Sequence, residues 1–213
     1  MIENVLFDLD GTLLDTREGI IESVRFAAGA LGYQQLSYDE LLTFVGPPIQ
    51  QSFIDHYNCD AQTAQKAAGI FRDYYKDEAL LRAIPYDGIY ELCEELKKRK
   101  IKMAVATYKR EDYALRLLKY FHLDDYCMSM HGADNNNVLK KADIVDLCLK
   151  EMSAEPDKTV LIGDTDHDAK GAKLAGIHFI AVTYGFGFKS KAELSEYDNI
   201  GVAESPLDVL RFL

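Results

Sequence analysis

Two aspartates, Asp8 and Asp10, follow a short apolar run near the start of the chain and precede Gly11. If the run forms a strand, side chains alternate between its two faces, so both carboxylates point the same way. Like charges at that spacing repel each other unless a cation lies between them or one is protonated. A solvated Asp-Gly turn is the ordinary alternative. The pair therefore predicts either a turn or a site built around a cation.

Three further groups of polar residues occur where predicted strands end or helices begin. They are Thr107, the pair Lys140 and Lys141, and the pair Asp164 and Asp168 in Gly-Asp-Thr-Asp-His-Asp. Ligands of open α/β sheets bind outside the carboxyl ends of the strands, so one rim would collect these residues. A carboxylate can attack phosphorus while a second carboxyl moves the proton. A hard cation such as Mg²⁺, a hydroxyl and an ammonium group would neutralise the phosphoryl oxygens, so the pattern favours phosphoryl transfer.

Each of these residues also has a structural interpretation. Thr107 suits a strand end, and either lysine suits a solvated helix start. The acidic loop suits a cap and turn, and its spacing does not fit a calcium-binding EF-hand. His167 within that loop is predicted to be an exposed residue rather than a ligand. The agreement of four elements in type, order and position at strand ends favours the site over the separate structural interpretations.

This order of elements resembles the haloacid dehalogenase superfamily of phosphohydrolases. The resemblance is carried by D-x-D-G-T-L-L-D from Asp8 to Asp15, then Thr, Lys and G-D-x-x-x-D. Leu139-Lys140-Lys141-Ala142-Asp143-Ile144 is similar to the K-A-[DE]-V-I form of phosphoglycolate phosphatase-like and 5'-nucleotidase-like members. Alignment on that form selects Lys141, with Lys140 as the alternative. Thr107-Tyr108-Lys109 departs from the commoner T-S-K or T-N-K, so a relative's specificity cannot be copied through this loop.

The resemblance implies a role for each site residue. Asp8 would be the nucleophile and Asp10 the general acid and base. Mg²⁺ would be held by Asp8, the backbone carbonyl of Asp10 and Asp164, with Asp168 supporting the metal shell. The phosphoryl oxygens would be bound by Thr107, Lys141 and the backbone amides of Leu9 and Asp10. Tyr108, directly after the hydroxyl, would narrow the rim or contact the substrate.

The chain changes character at about residue 85. Residues 16–84 predict four helices and no convincing strand, whereas strands and helices alternate afterwards. Alternation predicts an α/β fold, a Rossmann-like and mostly parallel sheet with helices on both faces. The helical block is then an insertion after the first strand. The resemblance implies a small helical cap domain at 16–84 and a core domain at 1–15 and 85–213.

Individual elements are also predicted from local patterns. Ser37 with Glu40 forms a capping box that opens a short helix through Val45, and residues 60–80 form one long helix. Gly46-Pro47-Pro48 is predicted to end the second helix and start the third, as a lip or a simple connector. Gly185-Phe186-Gly187-Phe188 lacks the spacing of a dinucleotide or P-loop fingerprint and is predicted to be a turn near the site's edge. The predicted strands after Pro85 are 101–106, 126–130, 159–162 and 179–182. The predicted helices are 88–99, 110–121, 142–152, 168–175, a short one capped by Ser190 with Glu193, and a last one that starts at Ser205-Pro206.

Composition limits the partners. The formal net charge of −11 argues against a nucleic-acid polymer or an anionic membrane as partner, because both need a basic face. Four widely spaced cysteines predict reduced thiols, and no window approaches a membrane span or a secretory leader. We therefore expect a cytoplasmic protein. The resemblance implies a small phosphate ester as its ligand, and we expect a monomer or homodimer.

The function predicted from these observations is a Mg²⁺-dependent phosphatase. It would hydrolyse a small phosphomonoester, phosphoglycolate-like or a nucleoside 5'-monophosphate, through an aspartyl phosphate. A sugar phosphomutase and an inorganic pyrophosphatase are alternatives within the superfamily, and the sequence does not distinguish them. A phospho-receiver module is remote, because receivers are much shorter and carry the acceptor aspartate on a middle strand. A dehalogenase is disfavoured because Asp10 is present.

Overall fold

A computed structural model describes residues 1–46, 49–134 and 138–213. The predicted turn and helix start at Pro47 and Pro48 lie outside the described residues. The chain forms two compact units, Met1–Asp15 with Pro85–Leu213, and Thr16–Ile84. In the described part of the chain, no helix is both long enough and apolar enough to cross a membrane.

The first unit is built on a six-stranded parallel sheet in the order β5-β4-β1-β6-β7-β8. Its strands are β1 (Asn4–Phe7), β4 (Lys102–Arg110), β5 (Cys127–Ala133), β6 (Thr159–Gly163), β7 (His178–Val182) and β8 (Gly201–Ala203). Two short strands, β2 (Leu14–Asp15) and β3 (Ile84–Pro85), lie outside this sheet, at the two places where the chain passes from one unit to the other. All four residues of β1 are buried, as expected for a central parallel strand covered on both faces.

Four α-helices accompany this sheet in the described residues. They are α5 (Ile89–Lys98), α6 (Glu111–Tyr120), α7 (Lys141–Met152) and α8 (Asp166–Ala175). Leu6, Ala104 and Leu161 on the strands share one apolar cluster with Ile144 of α7 and Ala172 of α8. This packing holds the first turns of α7 and α8 beside the carboxyl ends of β1 and β6. The predicted fold class is therefore confirmed.

The second unit is helical. Its helices are α1 (Arg17–Ala30), α2 (Tyr38–Leu42), α3 (Ile49–Tyr57) and α4 (Ala61–Tyr74), followed by a π-helical turn at Tyr75–Ala79. Val24, Phe53 and Ala67 lie at the centre of its own apolar cluster. The predicted capping box is present, since the Ser37 hydroxyl accepts from the Glu40 amide.

Several predicted boundaries are wrong in this unit. The second helix ends at Leu42 rather than Val45, because the chain turns through Thr43 and Phe44. The helix predicted at 60–80 changes to π-helical hydrogen bonding at Tyr75. Gly19 of α1 lies directly against the Ala79 carbonyl there, an approach that a side chain would block.

The first unit also differs from the prediction in detail. Strand β4 runs past residue 106 to Arg110, with a register shift before it rejoins β5 at Ala133. Helix α8 begins at Asp166 rather than residue 168, because Thr165 is the N-cap. Ser190 does not cap a backbone amide; its hydroxyl donates to Glu193 beside a 3₁₀ turn. Strand β8 was not predicted because three residues give no alternation to detect.

Candidate active site

The carboxyl ends of three neighbouring strands bring the sequence-predicted residues together. Phe7 of β1 is level with Val105 of β4 and Ile162 of β6. The Asp8 amide donates to the Ile162 carbonyl at 2.9 Å, which extends the ladder by one residue. Asp8 and Asp164 directly follow β1 and β6, and Thr107 lies in β4 two residues beyond Val105. All three are therefore at the same edge, where parallel α/β sheets bind ligands.

A buried ammonium group joins two of the predicted carboxylates. Lys141 Nζ lies 2.7 Å from Asp8 Oδ1 and 2.6 Å from Asp168 Oδ1. The exposed fractions of the three side chains are 3% for Lys141, 10% for Asp8 and 1% for Asp168. Burial opposes the charge of Lys141, but the carboxylates of Asp168 and Asp8 outweigh it and raise the pKa of this lysine. Lys141 therefore stays cationic among these carboxylates.

Local structure fixes Lys141 and Asp168. Lys141 is the first residue of α7, and the helix start is set by the Lys140 amide, which donates to Asp143 Oδ2 at 2.7 Å. Asp168 occupies the third position of α8, where its Oδ2 accepts from the Thr165 amide at 3.0 Å and the Thr165 hydroxyl at 2.7 Å. Asp168 therefore has both predicted roles: its Oδ2 caps the start of α8, and its Oδ1 belongs to the buried cluster.

Asp164 is held by the loop that follows β7. Its Oδ2 accepts from the Phe186 amide at 2.6 Å and the Gly187 amide at 2.9 Å. Gly11, with a φ of +80°, also packs its backbone against the Asp164 carboxylate and leaves no space for a side chain. The loop at 185–188 was predicted only as a turn near the edge, yet its amides set the orientation of Asp164.

One oxygen of this carboxylate has no partner. Asp164 Oδ1 is buried and makes no hydrogen bond within the described residues. Asp8, Asp164 and Asp168 each offer a carboxylate oxygen, and these three atoms lie within 4.8 Å of one another. An all-oxygen donor set with an unsatisfied buried carboxylate fits a hard divalent cation such as Mg²⁺.

The pKa values of two of these acids are raised, mainly by burial. Burial, opposed by Lys141, raises the pKa of Asp8 to about 7. Burial and the charge of Asp168 raise the pKa of Asp164 to about 6, against the two amide hydrogen bonds. A bound divalent cation would favour the ionised forms and oppose both increases.

The second aspartate of the opening pair has a different environment. Asp10 does not belong to the three-carboxylate cluster; its Oδ1 and Oδ2 each lie 3.1 Å from Lys109 Nζ. Sequence reasoning did not assign Lys109 to the site. The available signal was spacing: Lys109 stands two residues after Thr107, the interval that returns a strand residue to the same face.

The remaining predicted residues lie at the rim or in the backbone of the site. Thr107 is buried and its Oγ1 accepts from the Lys109 amide at 3.1 Å, whereas the Leu9 carbonyl accepts from Leu13 and Leu14 and closes the first loop. Tyr108 is exposed, and its ring packs nearly perpendicular to the His167 ring, with 5.3 Å between the ring centroids. Lys140 and His167 are exposed, and neither belongs to the buried cluster.

The parallel sheet, the helical insertion after its first strand and the lysine-linked carboxylates at its carboxyl edge are the arrangement that the motif resemblance predicts for an α/β phosphohydrolase. The model of the haloacid dehalogenase-like hydrolase family matches residues 5–182, and the chain belongs to this family. The resemblance inferred from the motifs is therefore confirmed.

Individual relatives include phosphatases. The chain is 35% identical to a 5'-nucleotidase of Pseudomonas aeruginosa over 185 residues, which cover 86% of this chain and 84% of that protein. It is 28% identical to the pyrophosphatase PpaX of Halalkalibacterium halodurans over 210 residues, covering 98% and 95%. A solved haloacid dehalogenase-like hydrolase of Streptococcus pneumoniae superposes with a TM-score of 0.90 at 30% identity, covering 99% and 98%. The protein is thus an enzyme of the phosphatase and hydrolase type.

Proposed function

We propose that the protein is a Mg²⁺-dependent phosphatase that hydrolyses a small phosphomonoester through an aspartyl phosphate on Asp8. The observation that carries this proposal is the buried cluster of Asp8, Lys141, Asp164 and Asp168 with one carboxylate oxygen left unpartnered. Structural ion pairs alone would not leave a buried carboxylate oxygen unsatisfied, because that is costly.

In the first half-reaction, a carboxylate oxygen of Asp8 attacks phosphorus and forms an acyl phosphate. The bond from phosphorus to the ester oxygen breaks, and that oxygen takes the proton of the Asp10 carboxyl group to leave as an alcohol. The Thr107 hydroxyl, the Lys141 ammonium and the backbone amides of Leu9 and Asp10 would stabilise the phosphoryl oxygens.

In the second half-reaction, the Asp10 carboxylate takes a proton from water while the water oxygen attacks phosphorus. The bond between phosphorus and the Asp8 oxygen breaks, which releases inorganic phosphate and restores both aspartates. Mg²⁺ would be held by Asp8, the Asp10 carbonyl and Asp164 with support from Asp168, and would neutralise charge on the phosphoryl group.

The substrate class is supported by the relatives. We infer a nucleoside 5'-monophosphate as the first substrate to test, because a 5'-nucleotidase shares 35% identity over most of both chains. A phosphoglycolate-like ester remains within the same class. Pyrophosphate is the second candidate, supported by the similarity to PpaX along nearly the whole chain. The helical unit Thr16–Ile84 is proposed to be the cap that distinguishes these leaving groups.

The state of the cysteines supports a reducing compartment. Cys59, Cys93, Cys127 and Cys148 are all free thiols, and burial raises the pKa of the last three, which keeps them protonated and unreactive. Free, inert thiols are typical of a reducing environment. We therefore propose that the enzyme works in the cytoplasm.

The experiment is a phosphate-release assay on purified protein with Mg²⁺. Nucleoside 5'-monophosphates, phosphoglycolate, pyrophosphate and p-nitrophenyl phosphate are compared for wild type, Asp8→Asn and the control Asp166→Asn. Asp166 belongs to the same acidic sequence segment and is the first residue of α8, but it pairs with Lys170 outside the cluster. We expect wild type and Asp166→Asn to release phosphate. The rate of phosphate release by Asp8→Asn should be at least about a thousandfold lower. Full activity of Asp8→Asn would refute the nucleophile assignment.

A further inference from the structure

We propose that Lys109 is the positioning residue for Asp10: its ammonium group holds the carboxylate where it can exchange a proton with the leaving oxygen. This inference rests on the proposed function, because it takes the acid and base role of Asp10 as given. It adds a residue that the motif resemblance did not assign.

The geometry of the pair is symmetric and sheltered. Lys109 Nζ lies 3.1 Å from both carboxylate oxygens of Asp10, so the ammonium group contacts both oxygens equally. The side chain of Lys109 is 7% exposed and that of Asp10 is 25% exposed. An ion pair of long side chains at the surface contributes little to stability. Breaking a pair that is shielded from water costs more, because it leaves an unpaired buried charge.

The backbone on both sides of the pair is fixed, which leaves the Asp10 side chain as the part that needs orientation. The Asp10 loop is closed by the Gly11 amide, which donates to the Leu14 carbonyl at 2.9 Å. The Lys109 amide donates to Thr107 Oγ1 at 3.1 Å, within the segment where β4 shifts register against β5. Lys109 therefore links the phosphate-binding hydroxyl to the proton-transferring carboxylate.

A different role for Lys109 would be direct binding of the phosphoryl group. Lys141 already supplies an ammonium group beside Asp8, at 2.7 Å. Asp10 lies outside that cluster and is paired with Lys109. Each of the two aspartates therefore has its own lysine, Lys141 for Asp8 and Lys109 for Asp10. The pairing favours a positioning role for Lys109, and the two roles predict different kinetics.

The test compares leaving groups. Departure of an alcohol from a nucleoside 5'-monophosphate needs a proton from Asp10, whereas p-nitrophenolate leaves without one. The ratio kcat/KM reports only the steps up to loss of the leaving group. We expect Lys109→Met to lower kcat/KM about tenfold or more for the nucleotide and less than about threefold for p-nitrophenyl phosphate, because general acid catalysis contributes about 10²–10⁴-fold. Lys109→Arg, which keeps a cation suited to a carboxylate, should retain most of the activity.

Controls separate this inference from the proposed function. Lys170→Met removes an exposed lysine of α8 and should behave as wild type. Asp10→Asn should show the same leaving-group dependence as Lys109→Met, only larger; if it does not, the role proposed for Asp10 fails. Lys109→Gln repeats the comparison if circular dichroism shows that the Met variant does not fold.

Equal losses of kcat/KM on both substrates would overturn the positioning role, because they indicate that Lys109 binds the phosphoryl group itself. A loss confined to KM would overturn it as well. The positioning role requires that Lys109→Met lower kcat/KM for the nucleoside 5'-monophosphate but not for p-nitrophenyl phosphate, and that Lys109→Arg restore it.

Discussion

Replacing Asp164 by Asn should stabilise the metal-free protein and remove its response to Mg²⁺. In the folded protein the pKa of Asp164 is raised from 3.8 to about 6, with burial as the largest cause. Because the folded pKa lies above the unfolded value, the unfolded chain releases this proton first as pH rises. The free energy of unfolding therefore falls between about pH 4 and pH 6 and stays lower above that range.

The size of the effect follows from the same shift. A difference of about two pKa units corresponds to about 3 kcal/mol at pH 8, at about 1.4 kcal/mol per unit. Asn carries no charge, and its carbonyl oxygen can still accept from the Phe186 and Gly187 amides that hold Asp164. The variant should therefore be up to about 3 kcal/mol more stable than wild type at pH 8 and close to it at pH 4.

The assay is urea unfolding followed by far-ultraviolet circular dichroism, since the chain has no tryptophan. Each protein is measured in EDTA and in Mg²⁺. Wild type should gain about 2.7 kcal/mol when Mg²⁺ is a hundredfold above its dissociation constant, and Asp164→Asn should gain almost nothing. Asp166→Asn, as the control, should keep the wild-type response to Mg²⁺. If wild type and Asp164→Asn have the same free energy of unfolding in EDTA, burial of the Asp164 carboxylate does not destabilise the protein. If both gain the same free energy of unfolding in Mg²⁺, Asp164 is not part of a metal site.

Two further substitutions test the cluster and the helical unit. Lys141→Met should lower phosphate release at least about a hundredfold, because it leaves Asp8 with a neighbouring carboxylate and no ammonium; a loss of less than about threefold in the same assay would contradict its role. Ser37→Ala should lower the free energy of unfolding by about 1 kcal/mol, because the Glu40 amide loses its cap, while kcat/KM for p-nitrophenyl phosphate stays unchanged. A large loss of activity in Ser37→Ala with normal stability would contradict the purely structural role of this cap.

Residue spacing predicted the parts of the fold that depend on periodicity. Strand β1, with its buried apolar run, and the helices with one clear apolar face were predicted to within a few residues. The π-helical turn at Tyr75–Ala79 was not, because it interrupts a continuous helical pattern without a Gly or Pro to mark it; Gly19, which packs against it, lies more than fifty residues earlier in the chain. Strand β8 was missed because three residues carry too little pattern.

The candidate site shows the same division. Asp8, Asp164, Asp168 and one of the pair Lys140 and Lys141 could be selected from their positions at strand ends and helix starts, since topology brings these positions together. The choice of Lys141 over Lys140 came from the family resemblance. The partner of Asp10 was not selected: spacing places Lys109 on the same face as Thr107, but the contact with Asp10 forms in the segment where β4 shifts its register with β5. Nor could the amides of Phe186 and Gly187 be assigned to Asp164, because backbone donors have no residue type to recognise.

The central claim is that Asp8 becomes phosphorylated during turnover. Rapid quenching of the wild-type enzyme during hydrolysis of p-nitrophenyl phosphate with Mg²⁺, followed by borohydride reduction and peptide mass spectrometry, tests it directly. An aspartyl phosphate at residue 8 is converted by borohydride to homoserine, and we expect that product at position 8 and not in the Asp8→Asn variant. Rapid phosphate release with an unmodified Asp8, or with modification at another carboxylate, would contradict the account.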